Sequence, residues 1–362
     1  MTSYWILFTF PALLAFLGRK RDTVPGSKVY PLSIDGVWFF TWVLLTVFIG
    51  LRHRTGGDWS QYVDIFEATK YMPVAELLKL GDPGYQFLNW FAIQLGFEIY
   101  AVNFVMASFF SAGLVIFCRS MPRPFLALAI SIPYLVIVVS MGYARQGTAL
   151  GMALIGLTYL GRENRAAFIA WIIAASSLHF SAVILMPIAF LTNSGNKFWS
   201  LVWISVLSGM FAYIFISSSV IDLYTNYIAT STSENVSQGA LVRILMCGVP
   251  ASIFIIFRRR FNFADSEGSL WMSFSLVSIG LLILLWISDA STAIDRIALY
   301  MLPLQLVVFS HFPDIFGTKF GINFWLKLFV ILYYLLVQFV WLNYATHASG
   351  WLPYQNILFI QT

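Results

Sequence analysis

Five arginines lie beside long apolar runs, where a charged side chain is costly unless it has a partner. Arg52 and Arg54 stand in the stretch GLRHRTGGDWSQY, directly after one such run, and Arg145, Arg243 and Arg296 lie beside later ones. A guanidinium at a membrane edge costs roughly a few kcal/mol. Its planar fork of N–H donors matches the oxygens of phosphate and carboxylate groups. The pattern therefore predicts a site for a multidentate anion such as a pyrophosphate head group.

Two further side chains could move a proton at such a site. His179, in ASSLHFSA, is predicted to lie at a turn inside an apolar hairpin, where an imidazole could act as a general base near neutral pH. A hydrogen-bonded structural histidine is the alternative. Asp58 is followed three residues later by Gln61, which predicts a capping box, with duty as a base or in sugar binding as its alternative. His53 and His347 are predicted to be solvated.

Structural explanations also exist for the arginines. The first two could extend along the membrane surface and pair with Asp58 or Asp64, as interfacial arginines often do. Asp295 or Asp289 could neutralise Arg296.

The composition places these residues in a membrane protein. Of 362 residues, 59% are hydrophobic and 10% are charged, so the chain could not cover a water-facing surface. A span needs about 20 apolar residues, and such runs recur without a linker long enough to separate domains. We therefore predict one integral membrane domain over residues 1–362, an all-α bundle of about 11–12 spans. The predicted spans are 4–17, 32–51, 98–117, 124–141, 146–160, a hairpin over 166–192, 198–219, 241–257, 269–287, 296–312 and 321–343.

The basic residues set the predicted orientation. The clusters at 19–21, 119–123 and 258–260 are predicted to face the cytoplasm by the positive-inside rule. For the cluster at 258–260 to face the cytoplasm, the run 166–192 must cross the membrane and return, with its turn at its only histidine, His179. The five arginines, the loop 52–84 and the C-terminal tail then all lie on the outer side.

The outer loop 52–84 is predicted to carry short amphipathic helices along the membrane face. Helical spacing runs from Tyr62 to Thr69, and Pro73 with Gly81 brackets a second short helix. Aromatic rings predicted on the outer side could stack on sugars, although an interfacial belt explains each one equally well. These are Trp59, Tyr62, Tyr85, Tyr143, Tyr224, Tyr227, Trp351 and Tyr354.

Several function classes lack a signal. Cys118 and Cys247 stand singly in apolar runs, which predicts buried thiols rather than a disulfide or a metal site. The sequence has no metallopeptidase, nucleotide-sugar or ATP-binding motif. We therefore predict no metal and no cofactor. We also predict no nucleic-acid partner, because the positive-inside distribution of basic residues across a membrane accounts for the net charge of +5.

Seven stretches of the chain, taken in order, resemble those of a known family. They are GLRHRTGGDWSQY, DPGYQFLNWFAIQLG, ARQGTALGMALIGL, SSLHFSAVILMPIAFL, SQGALVRILMCGVP, DRIALYMLPLQ and WLPYQN. From residue 50 to the C-terminus, their order and spacing resemble the EpsG-like branch of Wzy-type polysaccharide polymerases.

The resemblance implies an architecture like that of GT-C membrane glycosyltransferases and an enzyme that needs no metal. Such proteins polymerise undecaprenyl-pyrophosphate-linked oligosaccharide repeat units at the periplasmic face of the bacterial inner membrane, building O-antigen, capsule or exopolysaccharide. The growing glycan passes from its lipid pyrophosphate to the next unit. The implied partners are the lipid-linked oligosaccharide, the bilayer, a chain-length regulator of the Wzz type and a Wzx-type flippase.

Roles for individual residues follow from the resemblance together with the residue types. The catalytic candidates are His179, Arg145 and Asp58. The candidates for binding pyrophosphate or glycan are Arg52, Arg54, Gln146, Arg243, Asp295, Arg296, Tyr300 and Tyr62.

Three other functions would need a similar outer rim: a transporter or flippase of lipid-linked sugars, an O-antigen ligase, and a non-catalytic partner in polysaccharide export. Transporters often carry paired halves and ionisable residues near the midplane. Here the charges gather at one rim, which favours an enzyme.

Overall fold

The protein is an all-α, polytopic helix bundle, as predicted. The computed structural model describes residues 1–18, 35–188, 239–287, 291–317 and 322–360. Its helices are α1 (Thr2–Leu17), α2 (Gly36–Gly50), α3 (Trp59–Thr69), α4 (Val74–Leu77), α5 (Pro83–Gln94), α6 (Ile99–Ser120), α7 (Pro124–Ser131, continued by a π-helix over Ile132–Ser140), α8 (Ala144–Leu160), α9 (Arg165–Leu178), α10 (Ala240–Phe257), α11 (Asp265–Ile287), α12 (Ser291–Leu299), α13 (Pro303–Phe316) and α14 (Ile322–Tyr344). These ranges contain no β-strand.

The longest apolar helices are those expected of a membrane bundle. Within the described ranges, four are long and apolar enough to cross a membrane: Ile99–Ser120, Ala240–Arg260, Asp265–Ile287 and Asn323–Tyr344. Large apolar side chains on all four are exposed, among them Phe104, Ile256, Trp286 and Trp325. Such faces suit contact with lipid rather than water. The predicted span 198–219 lies outside the described residues.

The centre of the bundle is formed by α6, α7 and α8. All nine residues of the π-helical continuation of α7 are buried, which fits a segment that is apolar on every side. Helices α6 and α8 touch through their backbones, since a Cβ atom on Gly113 would lie 1.8 Å from the carbonyl oxygen of Gly151. Small residues allow this close approach between membrane helices. The contact fixes the start of α8, and with it Arg145, at one end of the core.

The predicted single span 296–312 is wrong, because the chain breaks between α12 and α13. Tyr300 and Met301 donate to carbonyls only three residues back, at 3.0 and 2.9 Å. Pro303 has no N–H with which to continue the α-helical ladder, and it suits the first turn of a new helix. Arg296 therefore lies on a short separate helix, and Tyr300 lies at the break.

The predicted break at His179 is confirmed. Helix α9 ends at Leu178, His179 is extended with φ −155° and ψ 112°, and a 3-10 helix follows over Phe180–Leu185. The rest of the predicted return arm, from residue 189, lies outside the described residues.

The loop after α2 carries the predicted short helices, α3 and α4, but not the predicted capping box. Asp58 precedes α3 with φ −95° and ψ 13°, and its side chain makes no capping hydrogen bond among the described residues. An N-cap residue normally takes a β conformation, from which its side chain can reach the free amides. The carboxylate of Asp58 is thus left for other contacts.

The C-terminal tail holds this loop in place. The amide of His53 donates to Gln355 at 2.9 Å, and the amide of Ile357 donates to Leu51 at 2.9 Å. Gly56, with φ +111°, packs so closely that a Cβ atom would lie 2.1 Å from the carbonyl oxygen of Met141. The glycine in RTGGDW thus permits both the turn and the contact with the core. Loop and tail lie at the same end of the bundle, as predicted.

Candidate functional site

The start of α8 brings two of the predicted arginines to one end of the bundle. Arg145 donates from Nη1 to Oδ2 of Asp82 at 3.0 Å. Gln146, one residue later, donates from Nε2 to the backbone oxygen of Arg296 at 2.9 Å. Helix α8 therefore links the loop before α5 to helix α12.

Asp82 joins Arg145 to His179. Its Oδ2 lies 3.2 Å from Nδ1 of His179, and its Oδ1 accepts a hydrogen bond from the amide of Phe180 at 2.9 Å. Burial alone would raise the pKa of Asp82, but the hydrogen bond and charge of His179, the Phe180 amide and Arg145 outweigh burial and lower that pKa. Asp82 therefore stays ionised and holds a cation and an imidazole together.

Two buried tyrosines orient Arg145. The guanidinium carbon lies 5.7 Å from the ring centre of Tyr62 and 5.4 Å from that of Tyr85, within the range of cation–π attraction. The amide of Arg145 also donates to Oη of Tyr62 at 3.4 Å. The side chain of Arg145 is nevertheless 24% exposed, so a ligand can still reach it.

A second ion pair stands beside the first. Arg243, near the start of α10, pairs through Nε with the carboxylate of Asp295, and its Nη1 donates to Oη of Tyr143 at 3.4 Å. Both members of the pair are buried. Tyr143 lies two residues before Arg145, so this pair is tied to the same end of α8.

The carboxylate of Asp58 lies among Arg145, Arg296 and Arg52 and makes no hydrogen bond to the residues that the structure describes. Burial raises its pKa, and the charges of Arg145, Arg296 and Arg52 partly oppose that rise. Arg296 itself is exposed. A half-buried carboxylate surrounded by three guanidinium groups could accept hydrogen bonds from sugar hydroxyls or take up a proton.

Arg52 and Tyr300 lie deeper than predicted for residues that bind a substrate directly. Arg52 is 1% exposed, and its Nε and Nη1 donate to the carbonyls of Thr55 and Ile49 at 3.0 and 2.6 Å. Burial lowers the pKa of Arg52 to about 10, which leaves it charged at neutral pH. Tyr300 is fully buried, and its Oη lies 3.0 Å from Oγ of Ser181.

Arg54 lies apart from the Asp82 cluster. It has φ +45°, and its side chain lines a separate cleft beside α3. The structure thus brings Arg145, Gln146, His179, Arg243, Asp295, Arg296 and Asp58 together at one end of the bundle.

Asp82 is the central residue that the sequence analysis missed. Its signal was an acidic residue directly before a proline, in GDPGYQ, on the predicted outer side. Pro83 opens α5, and Asp82 takes the left-handed conformation with φ +46°. A strained backbone at an acidic residue suggests a functional position, but that strain is visible only in the structure.

A comparison with protein-family models decides what kind of protein carries this site. The model of the EpsG family matches residues 37–356. The chain belongs to the EpsG family. No curated protein and no solved structure matches the chain. The GT-C-like architecture therefore stays a prediction.

EpsG family membership, together with the apolar helices, makes the chain a membrane protein of polysaccharide biosynthesis, of the polymerase type. The match spans α2 to the C-terminal tail and so includes every residue of the site. The EpsG resemblance stated from the seven sequence stretches is confirmed.

Proposed function

We propose that the protein polymerises undecaprenyl-pyrophosphate-linked oligosaccharide repeat units at the periplasmic face of the bacterial inner membrane. The growing glycan would pass from its lipid pyrophosphate to a hydroxyl of the next unit. The observation that carries the proposal is the single carboxylate of Asp82, which bonds to both Arg145 and His179. A cation for the leaving group and a base for the acceptor are thereby held side by side.

The leaving group requires positive charge. When the bond from the anomeric carbon to the pyrophosphate oxygen breaks, its electron pair stays on the pyrophosphate. In this proposal Arg145 and the exposed Arg296 contact that anion, while the buried pair of Arg243 and Asp295 positions α8 through Tyr143. Preorganised donors aimed at developing charge are commonly worth about 3–4 kcal/mol each.

The acceptor hydroxyl requires a base. The contact between His179 Nδ1 and Asp82 favours the tautomer with the proton on Nδ1, so Nε2 can accept a proton from the acceptor. The acceptor oxygen then forms the new bond to the anomeric carbon, and Asp82 stabilises the imidazolium that results. His179 is 21% exposed in its side chain, which leaves it accessible to a substrate.

The remaining predicted residues take supporting roles in this proposal. Asp58 accepts hydrogen bonds from sugar hydroxyls near the arginines. Gln146 orients Arg296. Tyr62 holds Arg145, and Tyr300 holds the segment after His179 through Ser181. Arg52 holds the loop after α2 through its carbonyl contacts. A Wzx-type flippase would deliver the substrate, and a Wzz-type regulator would limit chain length.

Reconstitution tests the reaction. Purified protein in proteoliposomes is given lipid-linked repeat units, and the products are separated by length. Growth of a glycan ladder supports the polymerase. Transfer of a single unit to another lipid would instead identify a ligase, and movement of the substrate across the bilayer without any new bond would identify a transporter.

Labelling tests the orientation. Arg296→Cys places a thiol at the site end, and Arg259→Cys places one at the exposed arginine cluster after α10. The natural cysteines, Cys118 and Cys247, are buried. A membrane-impermeant maleimide applied to intact spheroplasts should label position 296 and spare position 259. The reverse pattern would contradict a periplasmic site.

A further inference from the structure

A cleft of about 520 Å³ lies beside the proposed transfer site. Its walls come from the loop after α2, the outer face of α3, the end of α5 and the start of α6. Its volume falls within the roughly 300–1,000 Å³ typical of small-molecule sites. None of Asp58, Asp82, Arg145 and His179 lines it. The cleft is therefore a separate feature of the same end of the molecule.

Three aromatic rings that line this cleft contact one another. His53, Trp59 and Tyr100 have their ring centres 5.8–6.0 Å apart in every pairing. Nδ1 of His53 and Oη of Tyr100 share a hydrogen bond of 2.5 Å. All three residues are only half-buried. His53, which was predicted to be solvated, is half-buried, and its imidazole is part of this ring cluster.

The charges that line the cleft cancel. Lys70 and Glu67 pair with each other at 2.7 Å, and the cleft also holds Arg54 and Glu98. Burial, and then the charge of Arg54, lower the pKa of His53, which favours a neutral imidazole at neutral pH. The cleft is thus suited to an uncharged ligand, in contrast to the cation-rich Asp82 cluster.

Aromatic faces edged by charged hydrogen-bonding groups fit the chemistry of sugars. A pyranose ring presents an apolar C–H face that can lie on Trp59 or Tyr100, and hydroxyls that can bond to the surrounding charged side chains. An acyl chain would gain nothing from four charged neighbours, because their desolvation costs free energy. An uncharged carbohydrate is therefore the ligand class that the lining favours.

Helix α3 places the cleft next to the transfer site. Asp58 and Tyr62 face the Arg145 side, whereas Trp59, Val63 and Lys70 face the cleft. The guanidinium carbon of Arg52 lies 6.0 Å from the ring centre of Trp59. Different faces of the same helix therefore border the two environments.

We propose that this cleft is a second, glycan-binding site, which holds uncharged sugar residues of the lipid-linked glycan away from its pyrophosphate. The assignment of the glycan as a polymerisation substrate rests on the proposed function. Binding of sugar in the cleft does not require the transfer reaction, so the two can fail independently.

The test measures binding of a lipid-free and phosphate-free oligosaccharide. The probe is a fragment of two or three repeat units, released by partial hydrolysis of the surface polysaccharide of the source cells. Isothermal titration against the purified full-length protein should show binding. Trp59→Ala should weaken it at least tenfold, and Trp59→Phe should restore most of it.

Matched variants separate the cleft from other sites. Trp90 is a half-buried tryptophan of α5 outside the cleft lining, so Trp90→Ala should bind the fragment as the wild type does. Arg145→Ala should also bind it normally, although it should lose polymerisation. Val63→Trp, which fills the cleft while keeping Trp59, should weaken binding and shows the effect even if Trp59→Ala folds poorly.

Three results would overturn the proposal: no binding by the wild type, equal binding by the wild type and the folded Trp59 and Val63 variants, or equal losses in Arg145→Ala and Trp59→Ala. A phospholipid that copurifies with the wild type, and that native mass spectrometry shows to be lost in Trp59→Ala, would identify a lipid site instead. A wild type that binds the fragment but builds no polymer would refute the proposed reaction and leave the sugar cleft supported.

Discussion

Two arginine–carboxylate pairs lie at opposite ends of α7 and its π-helical continuation. They differ in the number of hydrogen bonds that join the arginine to the carboxylate. Arg123 donates from Nε and Nη2 to both oxygens of Asp314, at 3.2 and 2.7 Å. Arg145 donates from Nη1 alone to Asp82, whose oxygens also serve His179 and an amide. The side chain of Arg123 is 10% exposed, against 24% for Arg145.

The difference separates a structural pair from a functional one. A two-point contact between guanidinium and carboxylate holds both groups in one geometry and fixes the helices that carry them. A one-point contact shared with an imidazole leaves donors of the guanidinium accessible and couples two groups that could act on a substrate. Similar residue types thus have different uses because of their neighbours.

The largest expected difference between the two pairs is the effect on polymerisation of removing each arginine in turn. Arg145→Ala should reduce polymerisation by roughly 10²–10³-fold, because a donor aimed at the leaving group is lost. Arg123→Ala should lower the amount of folded protein, since breaking a part-buried pair leaves a carboxylate without its partner, but should keep most of the turnover per folded molecule. Both are measured as glycan ladder formation per mole of protein that elutes as a single species. Equal turnover in the two variants would remove the distinction.

Removing the imidazole should have a comparable effect. His179→Gln keeps a polar side chain beside Asp82 but cannot take up a proton, and loss of a general base commonly costs about 10²–10⁴-fold. The rate is measured in proteoliposomes across pH with the wild type alongside. His311, at the far end, hydrogen-bonds to the carbonyl of Val307, and His311→Gln serves as the matched control. Full activity in His179→Gln would exclude it as the base.

Replacing the carboxylate of Asp82 should have a smaller effect. Asp82→Asn should lower the turnover number about 10–100-fold through misplaced neighbours, by analogy with the loss of partners that orient a reacting group, while Asp82→Glu restores part of it. The left-handed backbone at Asp82 tolerates asparagine, so the variant should fold.

The pKa of Asp82 sets the direction of its effect on stability. The pKa of Asp82 is lower in the folded protein than its ordinary value of 3.8. Ionised Asp82 therefore stabilises the fold at pH values above 3.8, and this stabilisation is lost as the pH falls through the folded-state pKa. The melting temperature of the wild type should therefore fall towards that of Asp82→Asn as the pH is lowered below 3.8. A constant difference at every pH would contradict the assignment.

Sequence patterns could predict most of the helices in the bundle but only some of the contacts that distinguish the two arginine–carboxylate pairs. Apolar runs and basic clusters located the helices, the break at His179 and the arginines of the site, because lipid requires long apolar segments and penalises unpaired charge. They could not predict that Asp82 bridges Arg145 and His179, since those residues are far apart in sequence and meet only through packing. The break before Pro303 was missed because the surrounding residues are continuously apolar. Burial of Arg52 was also missed, because backbone carbonyls that accept its hydrogen bonds leave no mark in the sequence.

The smallest expected effect concerns two glycines near the site, both with positive φ. Gly56 has φ +111° and touches the carbonyl of Met141, whereas Gly81 has φ +85° and open space around it. Gly81→Ala should cost about 1 kcal/mol, from backbone strain alone. Gly56→Ala should cost more, about 2–4 kcal/mol, because overpacking adds to the strain. Thermal unfolding in detergent measures both, and the ladder assay should show reduced turnover for Gly56→Ala, since the loop that carries Asp58 must shift. If the two alanine variants were equally stable and equally active, the contact between this loop and the core would not position the site.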